Sequence, residues 1–326
     1  MSGAAPMRLR VPRLLRAPAA ALALGWTLLL GAADFDYALQ PRRIADDTWV
    51  LTGRNEDFTL ANGGNIVNTA FIVTADGVVV IDSGPSRRYG EQLRQAIARV
   101  TDQPIRMVLN THHHPDHILG NQAFPADTLA ALAGTADGIH TEGGAFNDNM
   151  YRLVGDWMAG TEVVTPARRL PSGIQEIGGH RLEFIALDGH TGADLAVLDR
   201  STGVLFAGDL VFHDRSPTTP HARLPAWNAA LDRLQASGFR VLVPGHGPVA
   251  GDAGPIRQTR AWLAWLDGTL RSAAEDGLDM NEVMALPIPA EFRRLAVVEA
   301  EYRRSVGQLY PAYEQAALHR PRRSGP

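Results

Sequence analysis

The sequence predicts an α/β protein. Short apolar runs of strand composition alternate with stretches whose apolar residues recur at helical spacing. Four of those runs end in polar tips rich in His, Asp and Gly, and the last third of the chain reads as helical. The chain has 326 residues, enough for one large domain or two smaller ones. Its 45% hydrophobic and 20% charged residues are ordinary for a globular protein.

The first segment reads as an export signal. Arg8, Arg10, Arg13 and Arg16 form a basic region, Ala17 to Leu30 a short apolar run, and Gly31-Ala32-Ala33 a small-residue cleavage site. Residues 1–33 are therefore expected to be a secretory signal peptide and the mature protein to be periplasmic or secreted. A retained anchor ranks second, because an easy bilayer crossing needs about 20 apolar residues. Cysteine is absent, so there is neither a disulfide nor a cysteine for lipid attachment. The formal charge is 31 − 35 = −4, and without the four arginines of residues 1–33 it becomes 27 − 35 = −8. An acidic chain is a poor partner for nucleic acid or anionic membrane. Separately, a small-molecule substrate is expected, and no stable membrane span after cleavage. All basic residues are arginine, which excludes Schiff-base catalysis and lysine clamps.

Thr48–Leu51, Ile66–Val73 and Val78–Ile81 read as strands, with turns at 62–65 and 75–77. Arg87–Val100 is expected to be a helix with Leu93, Ile97 and Val100 inward, and Ile105–Leu109 a strand. A helix is expected over 141–160, with Phe146, Met150, Leu153, Val154, Trp157 and Met158 on one face. Leu182–Leu187, Ala196–Leu198, Val204–Phe206 and Val241–Val243 follow as strands, and Pro225–Ser237, Ile256–Glu275 and Ala290–Leu318 as helices. The mature domain is expected over 34–318, with a disordered tail at 319–326.

The stretch Thr111-His112-His113-His114-Pro115-Asp116-His117 follows the strand at 105–109. Neutral imidazole is the commonest zinc ligand, and a carboxylate adds negative charge. Residues two apart in extended chain point the same way, so His112 and His114 can converge on one ion. Asp116 and His117, after the Pro115 bend, can turn to a second. His190, Asp209 and His246 sit just past three other apolar runs. In α/β sheets ligands gather beyond the carboxyl ends of strands, which points to one shared site.

In this order, His112-x-His114-x-Asp116-His117, His190-Thr191-Gly192, Gly208-Asp209 and Pro244-Gly245-His246-Gly247 resemble the motifs of the metallo-β-lactamase superfamily of metallohydrolases, over about 48–247. The resemblance implies an αβ/βα sandwich of two mixed sheets with helices outside. It implies two zinc ions, one held by His112, His114 and His190, the other by Asp116, His117 and His246, with Asp209 bridging. Nitrogen and oxygen donors suit zinc and also admit iron or manganese, which rank second. A metal-bridging hydroxide would attack an ester, thioester, lactone or amide, with Asp116 a candidate proton acceptor. Asp82 matches a strand-end aspartate that supports the ligands; a turn-capping role fits it equally.

Asp209 stands where one group of true β-lactamases has Cys, and the missing Lys departs from the glutathione-thioester hydrolases. The loop after Asp209, with the exported N-terminus, resembles the quinoprotein relay system zinc metallohydrolases, which implies a periplasmic dehydrogenase that uses pyrroloquinoline quinone as a partner. Two rival readings are a mononuclear iron enzyme like the persulfide dioxygenases and a non-catalytic metal-binding maturation partner of a quinoprotein. His213 is open between a site role and a loop role. His221 is expected to be a loop histidine satisfied by backbone or water. His113 is expected to point away from the metals, and His140, His180 and His319 to lie on the surface. Arg215, Thr218 and Thr219 are candidates for binding a substrate group.

Overall fold

The computed structural model describes residues 1–3 and 35–319. The expected signal segment and tail, apart from residues 1–3 and His319, lie outside the described residues. Two mixed sheets carry the fold. The first has seven strands in sequence order: β1 (Arg42–Ala45), β2 (Thr48–Leu51), β3 (Thr69–Thr74), β4 (Gly77–Ile81), β5 (Ile105–Asn110), β6 (Leu129–Ala131) and β7 (Arg168–Arg169). Its first four strands are antiparallel neighbours, and β4 through β7 run parallel. The helices α1 (Arg87–Ala98), α2 (Pro115–Ile118) and α3 (Ala133–Val154) lie between these strands in the chain. The second sheet holds β8 (Gly173–Ile177), β9 (His180–Leu187), β10 (Asp194–Asp199), β11 (Val204–Phe206) and β12 (Val241–Val243), in the order β12-β11-β10-β9-β8. Here α4 (Leu224–Gln235) leads into β12, and α5 (Gly254–Asp276), α6 (Met280–Met284) and α7 (Val298–Leu318) follow it.

Strand alternation builds the layers. Val79 and Ile81 of β4 face Val197, Val204 and Phe206 of the other sheet in one inter-sheet core. Their neighbours Val78 and Val80 point outward onto Leu93 and Ile97 of α1. Likewise Ala196, Leu198 and Leu205 face outward onto Trp227 and Leu231 of α4 and Trp262 and Leu266 of α5. The molecule is thus an αβ/βα sandwich, as expected. Among the described residues, no helix is long and apolar enough to cross a membrane.

Several boundaries differ from the sequence reading. Ile66, Val67 and Asn68 are not strand; β3 begins at Thr69. Asn68 is diverted to the turn at 244–247, donating its N–H to the Gly245 carbonyl and its side-chain amide to the Pro244 and Gly247 carbonyls. The helix expected over 141–160 starts at Ala133 and gives way to a 3-10 turn at 155–158. Its first half holds glycines, which have low helix propensity, and packing overrides that preference. Leu153 is exposed and not on the buried face. The last helix begins at Val298, because residues 290–297 turn to insert Phe292 and Leu295 into the core and to pair Ala296 with Asp214 and Ser216. The strands β1, β6, β7 and β8 were not anticipated; they are short or largely exposed and lack a clear apolar period.

His180 is a correction as well. It is 7% exposed, and its Nδ1 lies 2.8 Å from Asp199 Oδ2. The Asp199 hydrogen bond raises His180 above its ordinary value. Burial alone would raise Asp199, but the bonds from His180 and Thr202 hold it below the usual carboxylate range. The His180 contribution is full below about pH 6.5 and is lost as pH rises through its raised folded value. The Asp199 contribution is present above about pH 4 and is lost as pH falls through its lowered folded value. His180→Gln should therefore cost about 1–2 kcal/mol at pH 5.5 and clearly less at pH 8.5, read from urea midpoints. Equal losses at both pH values would rule out a charged pair.

Candidate metal centre

Every expected ligand lies beyond the carboxyl end of a strand. His112 and His114 follow β5, His190 follows β9, Asp209 follows β11 and His246 follows β12. In the second sheet β9 and β11 are both antiparallel to β10, and β12 is parallel to β11, so their three tips emerge at one end. His114 caps α2, Pro115 starts it, and Asp116 and His117 turn inward on its single turn. All seven side chains are buried.

They form two groups. Ligand atoms of His112, His114, His190 and Asp209 lie within 4.8 Å of one another, as do those of Asp116, His117 and His246. In the first group His114 Nδ1 is 2.9 Å from His190 Nε2, and Asp209 Oδ2 is 3.5 Å from His190 Nε2 and 3.9 Å from His112 Nε2. In the second, His246 Nε2 is 3.3 Å from Asp116 Oδ2, and His117 Nε2 is 3.7 Å from that oxygen. Asp209 reaches the second group too, with Oδ1 3.1 Å from His117 Nε2 and Oδ2 3.2 Å from His246 Nε2.

The surroundings fix which nitrogen faces inward. Asp82 closes β4 with φ of 59°. Its Oδ1 accepts the Thr111 N–H, and its Oδ2 accepts the Thr111 hydroxyl and faces His117 Nδ1 at 2.8 Å. The Thr111 oxygen, having donated its proton, is left to accept from His112 Nδ1 at 3.1 Å. One carboxylate thus orients an imidazole of each group. His246 Nδ1 faces the Ile66 carbonyl at 2.8 Å, and its ring stacks on Phe212. Both carboxylate oxygens of Asp194 grip the loop before β10 through the backbone N–H of Thr191, and one also takes that of His190. Gly189 has φ of 142°, and a Cβ there would overlap the Trp227 backbone. That close approach brings α4 against the His190 loop, with the Trp227 ring 5.0 Å from the imidazole.

The donor set fits a metal. His112 Nε2, His117 Nε2, Asp116 Oδ2 and Asp209 Oδ1 are buried and have no hydrogen-bond partner; the two carboxylate oxygens lie 3.7 and 3.1 Å from His117 Nε2, and His112 Nε2 lies 3.9 Å from the other Asp209 oxygen. Leaving a buried polar atom unmatched costs about 1–3 kcal/mol each, which a cation would relieve. The electrostatics agree. Burial, with the neighbouring imidazoles, lowers His112 and His114 well below the ordinary value, and burial pushes His190 down to about 3, so these rings are neutral donors. Burial alone would raise Asp209, but His246 and His117 hold it well below the usual range. Burial would lower His117, yet Asp209, Asp116 and Asp82 raise it well above the ordinary value. The pocket therefore calls for positive charge.

The family follows from comparison with known proteins. The profile of the Metallo-beta-lactamase superfamily matches residues 62–246. The chain belongs to that superfamily. A linear primary-alkylsulfatase from Pseudomonas sp. (strain ATCC 19151) is 23% identical over 291 residues, 74% of this chain and 54% of that protein. Metallo-beta-lactamase domain-containing protein 1 from Xenopus laevis is 28% identical over 179 residues, 52% of this chain and 66% of that protein. The chain thus spans between about half and two-thirds of the length of these relatives. Among solved structures, a metallo-beta-lactamase from Pontibacter korlensis superposes with a TM-score of 0.54 at 24% identity, covering 69% of this chain and 99% of that one. The metallo-beta-lactamase FIM-1 from Pseudomonas aeruginosa, in its mono-zinc form, gives 0.55 at 18%, covering 70% and 95%. At these identities the likeness is one of fold.

Other sequence expectations sort clearly. Asp82 both closes its strand and supports the ligands. His113 points away from the two groups, toward Glu142. His213 faces the Pro248 carbonyl with Nδ1 at 2.6 Å, a loop role. His140 and His319 are exposed. Arg215 is no substrate clamp: it is 1% exposed, bonds the Glu56 carbonyl and lies 3.6 Å from Glu301. Thr219 is also buried, bonded to Ser305 and Gln308 of α7, while Thr218 is half-buried. His221 meets side chains rather than backbone; its Nδ1 lies 2.9 Å from His114 Nε2. Sequence reasoning missed Glu142, whose Oε2 is 3.0 Å from His221 Nε2. The one signal was its spacing four residues after Gly138 and four before Phe146 on a helix.

Gly245 tests the arrangement, because a Cβ there would overlap Asp209 Oδ1. The same Cβ would crowd the Gly208 and Asp209 backbone, so Gly245→Ala should push Asp209 aside, weaken metal retention at least about tenfold and also lower the unfolding midpoint. The check is metal content after dialysis against graded chelator. Wild-type retention would mean that Asp209 does not hold the metal.

Proposed function

We propose that the chain is an exported hydrolase with a binuclear zinc centre that cleaves an ester, thioester, lactone or amide of a small molecule. The observation that carries this is the presence of four unpartnered buried donor atoms, from His112, Asp116, His117 and Asp209, within two adjacent groups of ligand side chains. His112, His114 and His190 would hold one ion, Asp116, His117 and His246 the other, with Asp209 shared, as its distances to both groups suggest. When bound, such ions polarise the scissile group, lower the pKa of water and stabilise developing negative charge. The chain's part is to hold the ligands in a buried cradle, keep their imidazoles in one tautomer and accept a proton at the Asp116 carboxylate.

The alkylsulfatase relative supports a second reading, hydrolysis of a sulfate ester. The loop after Asp209 favours an uncharged substrate. Both of its arginines are engaged: Arg215 with Glu56 and Glu301, and Arg223 with Asp188. The wall beside His114 carries the carboxylate of Glu142. A sulfate ester would need cationic recognition that these residues do not offer. Export rests on the basic and apolar N-terminal pattern, and a link to a quinoprotein dehydrogenase rests on the resemblance of the 212–222 loop.

Elemental mass spectrometry of protein produced without added metal should find two zinc ions per chain; one iron per chain would favour the dioxygenase reading instead. Hydrolysis of nitrophenyl acetate and acyl thioesters should exceed that of dodecyl sulfate at least about tenfold, and the reverse order would support the sulfatase reading. Asp209→Ala should lower turnover by at least about a thousandfold while leaving the circular dichroism spectrum unchanged. Near-wild-type turnover in that variant would sink the binuclear mechanism.

A further inference from the structure

We propose that His221 and Glu142 form a hydrogen-bonded relay that positions His114 and strengthens it as a metal ligand. The proposal rests on the metallohydrolase reading and assigns both residues a role within that site.

His114 is oriented differently from its neighbours. His117 and His246 turn Nδ1 away from the centre, onto Asp82 and the Ile66 carbonyl. His114 turns Nδ1 inward, 2.9 Å from His190 Nε2, and Nε2 outward, 2.9 Å from His221 Nδ1. His221 Nε2 in turn lies 3.0 Å from Glu142 Oε2. The proton positions follow from the last member. A carboxylate only accepts, so His221 Nε2 carries the hydrogen and its Nδ1 offers a lone pair. His114 Nε2 then donates, which leaves the His114 Nδ1 lone pair facing the centre. A ligand imidazole that donates its other N–H toward a carboxylate is fixed in tautomer and becomes a stronger donor. Here a second imidazole carries that influence across the gap.

The surroundings hold the relay in place. Gly138, Glu142 and Phe146 recur every four residues along α3 and share one face. A Cβ on Gly138 would stand 2.7 Å from His113 Cγ, so a glycine there lets the helix close onto the histidines. Glu142 Oε1 lies 3.4 Å from His113 Nε2, which flanks the carboxylate on its other side. The Phe146 ring lies 5.9 Å from His113 and from His114, and 6.4 Å from His221. The loop bearing His221 is fixed by Arg215 on Glu301 and by Thr219 on Ser305 and Gln308. These contacts anchor the loop on both sides of residues 216–218, close to His221, whose side chain is 31% exposed.

The test is a zinc titration of the metal-free full chain against a chromogenic chelator, with cobalt(II) absorption spectra and thermal unfolding of the same metal-free samples. Wild type should bind two ions. His221→Ala should weaken one of them by about 10–100-fold, leave the other within about threefold and shift the cobalt spectrum, with the metal-free unfolding temperature unchanged. Glu142→Gln keeps an accepting oxygen and should lose less affinity than Glu142→Ala. His213→Ala, outside the relay, should match wild type. Unchanged affinity for both ions in His221→Ala would overturn the relay while leaving the binuclear reading intact. Equal weakening of both ions together with a fall in metal-free stability would overturn it in favour of a packing role. A wild-type chain that binds no ion would overturn the metallohydrolase reading itself and the relay with it.

Discussion

The carboxylate of Asp82 is the contact on which the centre depends. It is buried, stands at the end of β4, and faces a threonine and a histidine from the strand and turn beside it. Through His117 it governs one ligand group, and through Thr111 and His112 the other. Its positive φ turns the chain at the strand end. The other supports repeat that logic with different atoms: the Ile66 carbonyl for His246, Asp194 for the His190 loop, and Asn68 for the turn that carries His246.

The centre joins the two sheets. β4 and β5 supply Asp82 and the histidine-rich turn from the first, while β9, β11 and β12 supply His190, Asp209 and His246 from the second. The inter-sheet core sets the distance between those tips, so the spacing of the two ligand groups depends on sandwich packing. A cation bound between them would join halves of the chain that local structure alone leaves separate. The loop after Asp209 and α7 then close one flank, through Arg215, Thr219 and Glu301. That arrangement takes an arginine out of the site and leaves imidazoles and a carboxylate on the wall beside His114.

Much of the site was legible because its ligands come in compact motifs. His112, His114, Asp116 and His117 share six residues of chain, and His190, Asp209 and His246 each follow an apolar run. The continuous apolar runs of β4, β10 and β11 likewise read directly as strand. The errors share a cause. Ile66 to Asn68 has strand composition, but its polar groups pair with the turn at 244–247. The first half of α3 has too many glycines for a helix on propensity, but a glycine at 138 lets it reach His113. His180, Arg215 and Thr219 looked like surface or substrate groups, and each found a distant partner.

The sequence by itself determined the fold class and the cluster of His112, His114, Asp116 and His117, because spacing along a strand or turn sets which side chains face together; His190, Asp209 and His246 were named from their places after apolar runs and from the superfamily resemblance. The tertiary structure decided the tautomers, the burial of Arg215 and the approach of His221 and Glu142 to His114. Those contacts join residues far apart in the chain, 107 positions for His114 and His221. Local periodicity carries no information at that range, because the packing of the helices on the sheets sets which distant side chains meet.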